Sequence, residues 1–481
     1  MNRPFVSQVP FGQKVAFGFG MLANQMFPAA LSVFFVLLVE NLGFNPLAWG
    51  FIAFAPRLFD AVTDPVMGFV SDNTRSRWGR RRQYVFIGGL ILGIAYIGMW
   101  QLYRENSQTY NFVYFMGWSL VFYLGLTIFS VPYVAMGYEM SDDFHERTSI
   151  MAVSQFIGQW AWVIAPWFWV LLGNREIFPD ADAGVRQLAV WVAIPCTIFA
   201  LVPAIFIRSQ STVHRDDFKP INAASIGSSL SDIWKSTFEA FAIPQFRKLA
   251  FATFLVFNSF EIIAGFTYFI ILHHLFSGKD AGVWPAMHGC IGALITTFLV
   301  IPAVALISKQ LGKKKTFLLS QAISVVGYLL FWFLFIPGKP YMFLYALPFH
   351  SFGIGGLFTL MMSMTADVCD LDELQNGQRR EGILGAVYWW MVKFGKAFAG
   401  LLAGLIMWIV GFDPDNVTTS AMTGMRIAYS FLPIAGVLGA IWIMRNYDIS
   451  EQRAIEVREQ LAARQKGSAQ QQPLPSASPA V

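Results

Sequence analysis

Three charged residues lie close together in an otherwise apolar stretch near position 60. Arg57, Asp60 and Asp64 are spaced three and four residues apart, so on a helix they share one face. Two carboxylates one helical turn apart repel each other, and a bound Na+ or H+ relieves that repulsion. Pro65 cannot donate a hydrogen bond to the carbonyl of Ala61, which leaves one more oxygen beside the acids. The pattern predicts a monovalent-cation site; a purely structural Arg57–Asp60 ion pair is the alternative interpretation.

Further ionisable residues interrupt apolar stretches in the second half of the chain. Lys393 can pair with Asp60 or Asp64, or hold an anionic group of a substrate; alternatively its ammonium extends to water. Lys396 follows one helical turn later. Glu261 is a candidate for substrate contact or for structural hydrogen bonding, and the sequence does not decide between the two.

The amino-acid composition indicates whether these charged residues are surrounded by water or by lipid. Of 481 residues, 56% are hydrophobic and only 13% are charged, and the mean hydropathy is +0.51. Soluble proteins carry about a quarter charged residues. This scarcity excludes a soluble enzyme, a disordered protein and a nucleic-acid binder, and the three cysteines form neither a disulfide framework nor a metal-ligand spacing. The chain is predicted to be an all-α polytopic membrane protein with lipid as its surroundings.

Twelve apolar stretches are long enough to cross a bilayer as helices. None alternates with the period of two that a membrane strand requires. The predicted spans are 14–39, 48–71, 84–103, 110–138, 150–173, 187–207, 248–276, 283–307, 316–336, 341–366, 383–411 and 425–445.

The basic residues predict the orientation. Most of the 34 lysines and arginines fall in the segments on the side of the two termini, which the positive-inside rule places in the cytoplasm. This distribution accounts for the basic pI without nucleic acid, because the charges set topology and contact anionic lipid. Each charge left near the bilayer centre costs about 2.5–3.5 kcal/mol. Arg57, Asp60, Asp64, Glu261 and Lys393 must therefore face a polar interior or pair with one another.

A polar interval divides the spans into two sets of six. We predict an N-terminal six-helix bundle (1–207), a cytoplasmic linker (208–247), a C-terminal six-helix bundle (248–445) and a cytoplasmic tail (446–481). The tail is predicted to begin as a charged helix, 451–464, and to end in a Gln- and Pro-rich segment that cannot bury a core. A weak repeat supports the two halves: Gly79-Arg80-Arg81-Arg82 after the second span resembles Gly312-Lys313-Lys314-Lys315 after the eighth, although Asp72 has no counterpart before the second turn.

Four segments together resemble the glycoside–pentoside–hexuronide:cation symporters of the major facilitator superfamily. The resemblance extends over all twelve spans. It rests on the run from Arg57 to Arg82, on Gly18-Phe19-Gly20, on Glu146-Arg147-Thr148, and on Asp367 to Glu373 followed by Gly377-x-Arg379-Arg380-Glu381-Gly382.

The resemblance implies cation-coupled uptake of a sugar, glycoside or uronate by alternating access, in an inner or plasma membrane. It assigns the cation site to Asp60, Asp64 and Thr127, and it places Lys393 near both the cation and the substrate. It also assigns a cytoplasmic gate, formed by Asp72, Arg80, Arg81 and Arg147. We expect no cofactor beyond the coupling Na+ or H+, and a monomer whose partners are a small molecule, a monovalent cation and membrane lipid.

Departures from the melibiose-type pattern concern the substrate. Asn24-Gln25 replaces a Lys-Asp pair on the first span, and Gln155 replaces an arginine on the fifth. With Ser130 and Val134 also differing, the cation site is kept while the galactoside site is not. Gln25, Gln155, Arg57, Glu261 and Lys393 are therefore the candidates for substrate binding or coupling.

Transport of a lipid and catalysis by a membrane enzyme are the two alternatives to sugar symport. A Na+-coupled lysophospholipid symporter of the same superfamily is the alternative, since it shares the residues matching Asp60, Asp64, Glu261 and Lys393. A polytopic membrane enzyme would need a nucleophile, a His-Asp pair or a metal cluster at a membrane face, and the sequence offers none, so an enzyme is not expected.

Overall fold

The computed structural model describes residues 9–141, 143–178, 180–207, 212–213, 220–278, 280–377 and 380–470. Within these ranges the chain is helical and forms twelve long helical spans, numbered here in chain order, together with a linker helix (Ala223–Ala242) and a tail helix (Glu451–Gln470). The spans are Phe11–Phe34 with Leu37–Glu40, Pro46–Asp72, Arg82–Met99, Gln108–Glu139, Phe144–Ile164 with Trp167–Gly173, Ala181–Phe206, Pro244–Phe269 with the π-helical Ile270–Leu275, Trp284–Ile295 with the π-helical Thr296–Val300 and Ile301–Leu311, Lys313–Leu334, the 3-10 turn Pro340–Ala346 with Leu347–Asn376, Glu381–Ile409, and Thr419–Arg445.

The spans are those of an integral multi-pass membrane protein. In the part of the chain that the structure describes, eleven of them are long and apolar enough to cross a bilayer. The second span, Pro46–Asp72, is as long but carries Arg57, Asp60 and Asp64 in its interior. Its start follows from local chemistry: the Asn45 side chain caps the backbone N–H of Leu47 at 2.8 Å, and Pro46 occupies the first turn.

The predicted spans match these helices except at their ends. The tenth span was expected to stop at 366 but continues to Asn376, where Gly377 takes a left-handed conformation with φ 71°. The added turns contain acids that basic side chains from elsewhere in the chain neutralise: Lys313 and Arg458 bind Asp367, and Arg380 binds Asp372. The seventh span begins at Pro244 instead of 248, because the proline suits the first turn of a helix.

The first six spans pack on one another, as do the last six, and the two groups meet along the second and eleventh spans and also where the fifth span contacts the eighth. We propose these groups as the two domains, 1–207 and 248–445. The membrane side on which the first span begins and the twelfth ends is called the terminal side below, and the other the opposite side. On the opposite side the groups are in contact: a side chain added at Gly50 would lie 3.0 Å from the Cα of Gly404, and one at Gly289 would lie 2.8 Å from Pro166.

The linker and tail helices lie on the terminal side. The linker helix packs on the second, seventh and eleventh spans, and the rings of Trp234 and Trp390 are in tilted contact, with centroids 5.4 Å apart. The tail helix is longer than the predicted 451–464, and Arg458 on it donates to Asp367 of the tenth span at 2.6 Å. The expectation of an unstructured tail end falls on 471–481, outside the described residues, as do 208–211 and 214–219 of the linker.

Candidate cation and substrate site

Asp60, Asp64 and Lys393 form one cluster where the two groups of spans meet. Asp60 and Asp64 lie one turn apart on the second span, and Lys393 extends from the middle of the eleventh. The Lys393 ammonium donates to Asp60 Oδ2 at 2.6 Å and also to Asp64 Oδ2. Asp60 is buried, with 5% of its surface exposed. The structure therefore brings together the three residues whose association the sequence predicted, and of the two interpretations of Lys393 the inward-facing one applies.

Two hydroxyls complete the oxygen shell of this cluster. The Thr127 hydroxyl on the fourth span can donate to either acid, because its Oγ1 lies 2.7 Å from Asp60 Oδ1 and 3.2 Å from Asp64 Oδ1. Thr63 Oγ1 lies 3.1 Å from the same Thr127 oxygen. Two carboxylates and two hydroxyls are oxygen ligands suited to a small monovalent cation. In this structure the Lys393 ammonium lies against the same carboxylates, so the lysine and a cation would compete for them.

Arg57 is on the same helix face but does not pair with Asp60. Its Nε donates to Tyr123 Oη at 3.2 Å, and its Nη1 donates to the carbonyls of Ala53 and Lys396, both at 3.3 Å. The structural Arg57–Asp60 ion pair considered above is therefore not formed in the described residues. The sequence offered one signal for Tyr123, which precedes Thr127 by four residues and so shares its helix face.

Glu261 and Lys396 face each other beside Arg57. Lys396 Nζ lies 3.5 Å from Glu261 Oε1. These three residues line a cavity of about 70 Å³ together with Ser32 and Trp49. The cavity lies between the aspartate cluster and the opposite side of the membrane, at the interface between the two groups of spans.

Gln25 and Gln155, the residues at which the sequence departs from the melibiose pattern, contact each other. Gln25 Nε2 donates to Gln155 Oε1 at 3.1 Å, and Trp162 Nε1 donates to Gln25 Oε1 at 2.9 Å. Lys396 Nζ lies 6.0 Å from the centre of the Trp162 ring, within cation–π range. The glutamine pair is thus linked through Trp162 to the Lys396 side of the cavity.

Three of the four predicted gate residues, Asp72, Arg80 and Arg81, form a clamp between the second and fourth spans on the terminal side. Arg81 Nη2 donates to Asp72 Oδ1 at 2.7 Å, and Arg81 Nη1 lies 3.3 Å from Glu139 Oε1. Arg80 also donates to Glu139. Arg147 Nε donates to the Ser141 carbonyl at 2.6 Å. Glu139 was missed because an acid at a helix end gives no signal of its distant partners.

The second half contains a related clamp that the sequence repeat did not reveal. Lys313 donates to Asp367 on the tenth span, and Arg458 of the tail helix binds the same carboxylate. Arg380 makes a two-pronged ion pair with Asp372, at 2.8 and 2.7 Å. The acid that appeared to be missing before Gly312 is thus supplied from another span. Arg379 lies outside the described residues.

On the opposite side a buried polar pair ties the first span to the seventh. His273 Nε2 lies 2.8 Å from Glu40 Oε1, and the two side chains are 6% and 10% exposed. The adjacent pair His273-His274 predicts interfacial polar residues at a helix end rather than a metal site, and the sequence gives no signal of the distant partner Glu40. The pair joins one helix from each group where they meet, so it stabilises closure of this side.

We expect Glu40→Gln to loosen the opposite side, because the substitution weakens a buried pair that joins the two groups. A cysteine introduced at Ser32, which lines the cavity, should react about tenfold faster with an impermeant maleimide applied from the opposite side, which corresponds to about 1.4 kcal/mol. The native Cys196, Cys290 and Cys369 are buried and give little background. Glu105→Gln, at an exposed acid near the same side, is the control and should leave the rate unchanged. Equal rates in both variants would show that the pair does not hold this side closed.

The chain is similar to known transport proteins over most of its length. A family model described as MFS/sugar transport protein matches residues 16–451. The glucuronide carrier protein homolog of Escherichia coli is 24% identical over 94% of this chain and 95% of its own length. The lactose permease of Leuconostoc lactis is 22% identical over 92% of this chain and 71% of its own length. The isoprimeverose transporter of Lactiplantibacillus pentosus is 20% identical over 89% and 87%.

Solved structures share the fold. A bacterial homolog of the human lysosomal transporter Spinster, in an inward-facing and unoccupied conformation, superposes with a TM-score of 0.68 at 12% identity, covering 93% of this chain and 98% of its own. The nucleoside transporter NupG superposes with a TM-score of 0.61 at 14% identity, covering 91% and 100%. The twelve-span arrangement is therefore the major facilitator fold.

Proposed function

This chain belongs to the MFS/sugar transport protein family, as one of its glycoside–pentoside–hexuronide symporters and not an enzyme, and we propose on that premise that it couples the uptake of a sugar, glycoside or uronate to a monovalent cation. The observation that supports the coupling is that the Lys393 ammonium donates hydrogen bonds to both Asp60 and Asp64, the two acids that would bind the cation. The relatives named above for glucuronide, lactose and isoprimeverose support a sugar-type substrate.

The coupling follows from competition for the two carboxylates. A cation that enters between Asp60 and Asp64 displaces the Lys393 ammonium, which links the second span to the eleventh. Releasing that link changes the contact between the two groups of spans, so cation binding and the carrier's conformation affect each other. Linkage requires that substrate tightens cation binding by the factor by which the cation tightens substrate binding.

Alternating access would then move the two groups about the central site. The packing of Gly50 on Gly404 and the Glu40–His273 pair close the opposite side in this structure. We propose that the terminal side is cytoplasmic, in agreement with its basic residues, and that the conformation seen here is open toward the cytoplasm. We further propose a monomer that needs no cofactor beyond its coupling ion, Na+ or H+.

Uptake into proteoliposomes tests this function. Labelled lactose, methyl glucuronide and lysophosphatidylcholine are offered under an inward Na+ gradient, an inward H+ gradient, or neither. We expect accumulation of a sugar above its external concentration with one gradient, and none after an ionophore collapses it. Equal uptake with and without gradients would contradict coupling, and movement of the lysolipid alone would contradict the sugar substrate.

A further inference from the structure

The charged groups around the aspartate cluster and the cavity cancel one another. Three are basic (Arg57, Lys393 and Lys396) and three are acidic (Asp60, Asp64 and Glu261), and each lies at least eight residues from both ends of its helix in the second, seventh or eleventh span. Their formal charges sum to zero. Binding one Na+ or H+ therefore leaves this region with one uncompensated positive charge, in surroundings where an unpaired charge is costly.

The two basic residues that do not bind the aspartates have hydrogen-bonding capacity left over. The hydrogen bonds of Arg57 to described residues use Nε and Nη1, so Nη2 donates to none of them. Lys396 lies 3.5 Å from Glu261, a longer contact than the 2.6 Å between Lys393 and Asp60. Both cations nevertheless line one cavity. Lys393 differs, because both aspartates accept its hydrogen bonds.

We propose that the substrate is a monoanion, a sugar acid of the uronate class, whose carboxylate binds between Arg57 and Lys396. A guanidinium whose Nη2 has no acceptor among the described residues and an ammonium that lies 3.5 Å from its partner carboxylate both have donors left for a second carboxylate. Arg57 is on the second span and Lys396 on the eleventh, so the carboxylate would bridge the two groups of spans. This inference rests on the proposed function and selects one of its substrate classes.

The charge balance then explains why transport is coupled. The empty carrier is neutral in its interior, and so is the carrier holding both a cation and an anion. The carrier with the cation alone has an excess positive charge, and the carrier with the anion alone an excess negative one. Only the two neutral forms pass readily through the conformation in which the site is sealed from water. One cation and one monoanion therefore move together, without net transfer of charge.

The accumulation ratio of labelled D-glucuronate in proteoliposomes tests the stoichiometry. With the cation gradient held constant, a potassium diffusion potential, negative inside, is imposed with valinomycin. We expect the steady-state ratio to be unchanged within twofold, and methyl β-D-glucoside, the neutral analogue, to be transported at less than a tenth of the rate. A ratio that rises with the potential, or equal transport of the neutral glucoside, would overturn the proposal while leaving sugar symport intact. If neither sugar moves with either cation, the proposed function itself fails.

Substitution of Glu261 tests the charge balance within the site. Glu261→Gln gives the empty carrier an excess positive charge, so glucuronate alone restores neutrality. We expect glucuronate binding, measured by isothermal titration in detergent, to tighten at least tenfold without the cation and to lose its cation dependence. Adding Lys396→Gln to this variant returns the sum to zero and should restore the cation dependence, with weaker binding because one donor is gone.

The double variant separates charge from structure. If Glu261 acts only as a structural acceptor, the second substitution has no reason to restore cation dependence, and its absence in the double variant overturns the proposal. Lys339→Gln, at an exposed lysine outside the spans, is the control and should bind glucuronate as the unmodified chain does. Unchanged cation dependence in Glu261→Gln would overturn the proposal as well, as would preference for an anionic lysophospholipid over glucuronate.

Discussion

Replacement of Asp60 or Asp64 by asparagine is expected to abolish cation-driven uptake. The two side chains share Lys393 and Thr127, so neither can lose its charge without changing the surroundings of the other. Loss of a charged ligand costs on the order of 3 kcal/mol, which is about a hundredfold in affinity. We therefore expect cation binding, followed by tryptophan fluorescence, to weaken about a hundredfold and accumulation against a gradient to stop.

Two comparisons make this result specific. Asp415→Asn removes an exposed acid on the opposite side and should leave binding and uptake unchanged. Lys393→Gln removes the internal competitor of the cation and should act in the other direction: at alkaline pH the cation binds more tightly, while net uptake falls because the empty carrier now holds an excess negative charge. Cation-driven uptake at the normal rate in either asparagine variant would contradict the placement of the site.

The cation cluster could be predicted because its members carry a local signal. Asp60 and Asp64 are related by one helical turn, and charges inside an apolar span need partners. Lys393 is 333 residues from Asp60, yet its position in another apolar span left few possible roles. The resemblance contributed Thr127. Where the cost of a buried charge limits the possibilities, sequence reasoning selected residues that lie in contact in the structure, and their role as a cation site stays a prediction.

The partners of Arg57, Glu40 and Asp367 could not be predicted, for one physical reason. Each is fixed by the angle and height at which two distant helices pack, and neither spacing nor composition records these. Arg57 therefore appeared able to pair with Asp60, one helical turn away, whereas its hydrogen-bond partner Tyr123 is 66 residues away in sequence. Asp367 fell just beyond the predicted end of the tenth span, because the tail helix that neutralises it is distant in sequence. A sequence shows which residues are charged, but it does not show the angle and height at which distant helices pack.

The contact of the second span with the eleventh depends on two glycines. A Cβ at Gly404 would lie 2.5 Å from both the Cα of Gly50 and the carbonyl oxygen of Pro46, and a Cβ at Gly400 would lie 2.5 Å from that of Ala53. These small residues, spaced four apart on the eleventh span, allow the two backbones to approach closely. Because these atoms lie on the opposite side of the charged cluster from the termini, their approach closes the opposite side.

Gly404→Ala is accordingly expected to trap the carrier with the opposite side open. The added methyl group meets backbone atoms, which cannot move aside without separating the spans, and each 1.4 kcal/mol of strain lowers the population of the closed form about tenfold. Uptake should fall at least about tenfold, and a cysteine at Ser32 should label faster from the opposite side, while cation binding at Asp60 and Asp64 persists. Gly385→Ala, on the same helix but with nothing within 4 Å of the added carbon, should transport normally. Normal uptake and unchanged labelling in Gly404→Ala would mean that the carrier does not need this contact to close, since the strain arises only where the two backbones meet.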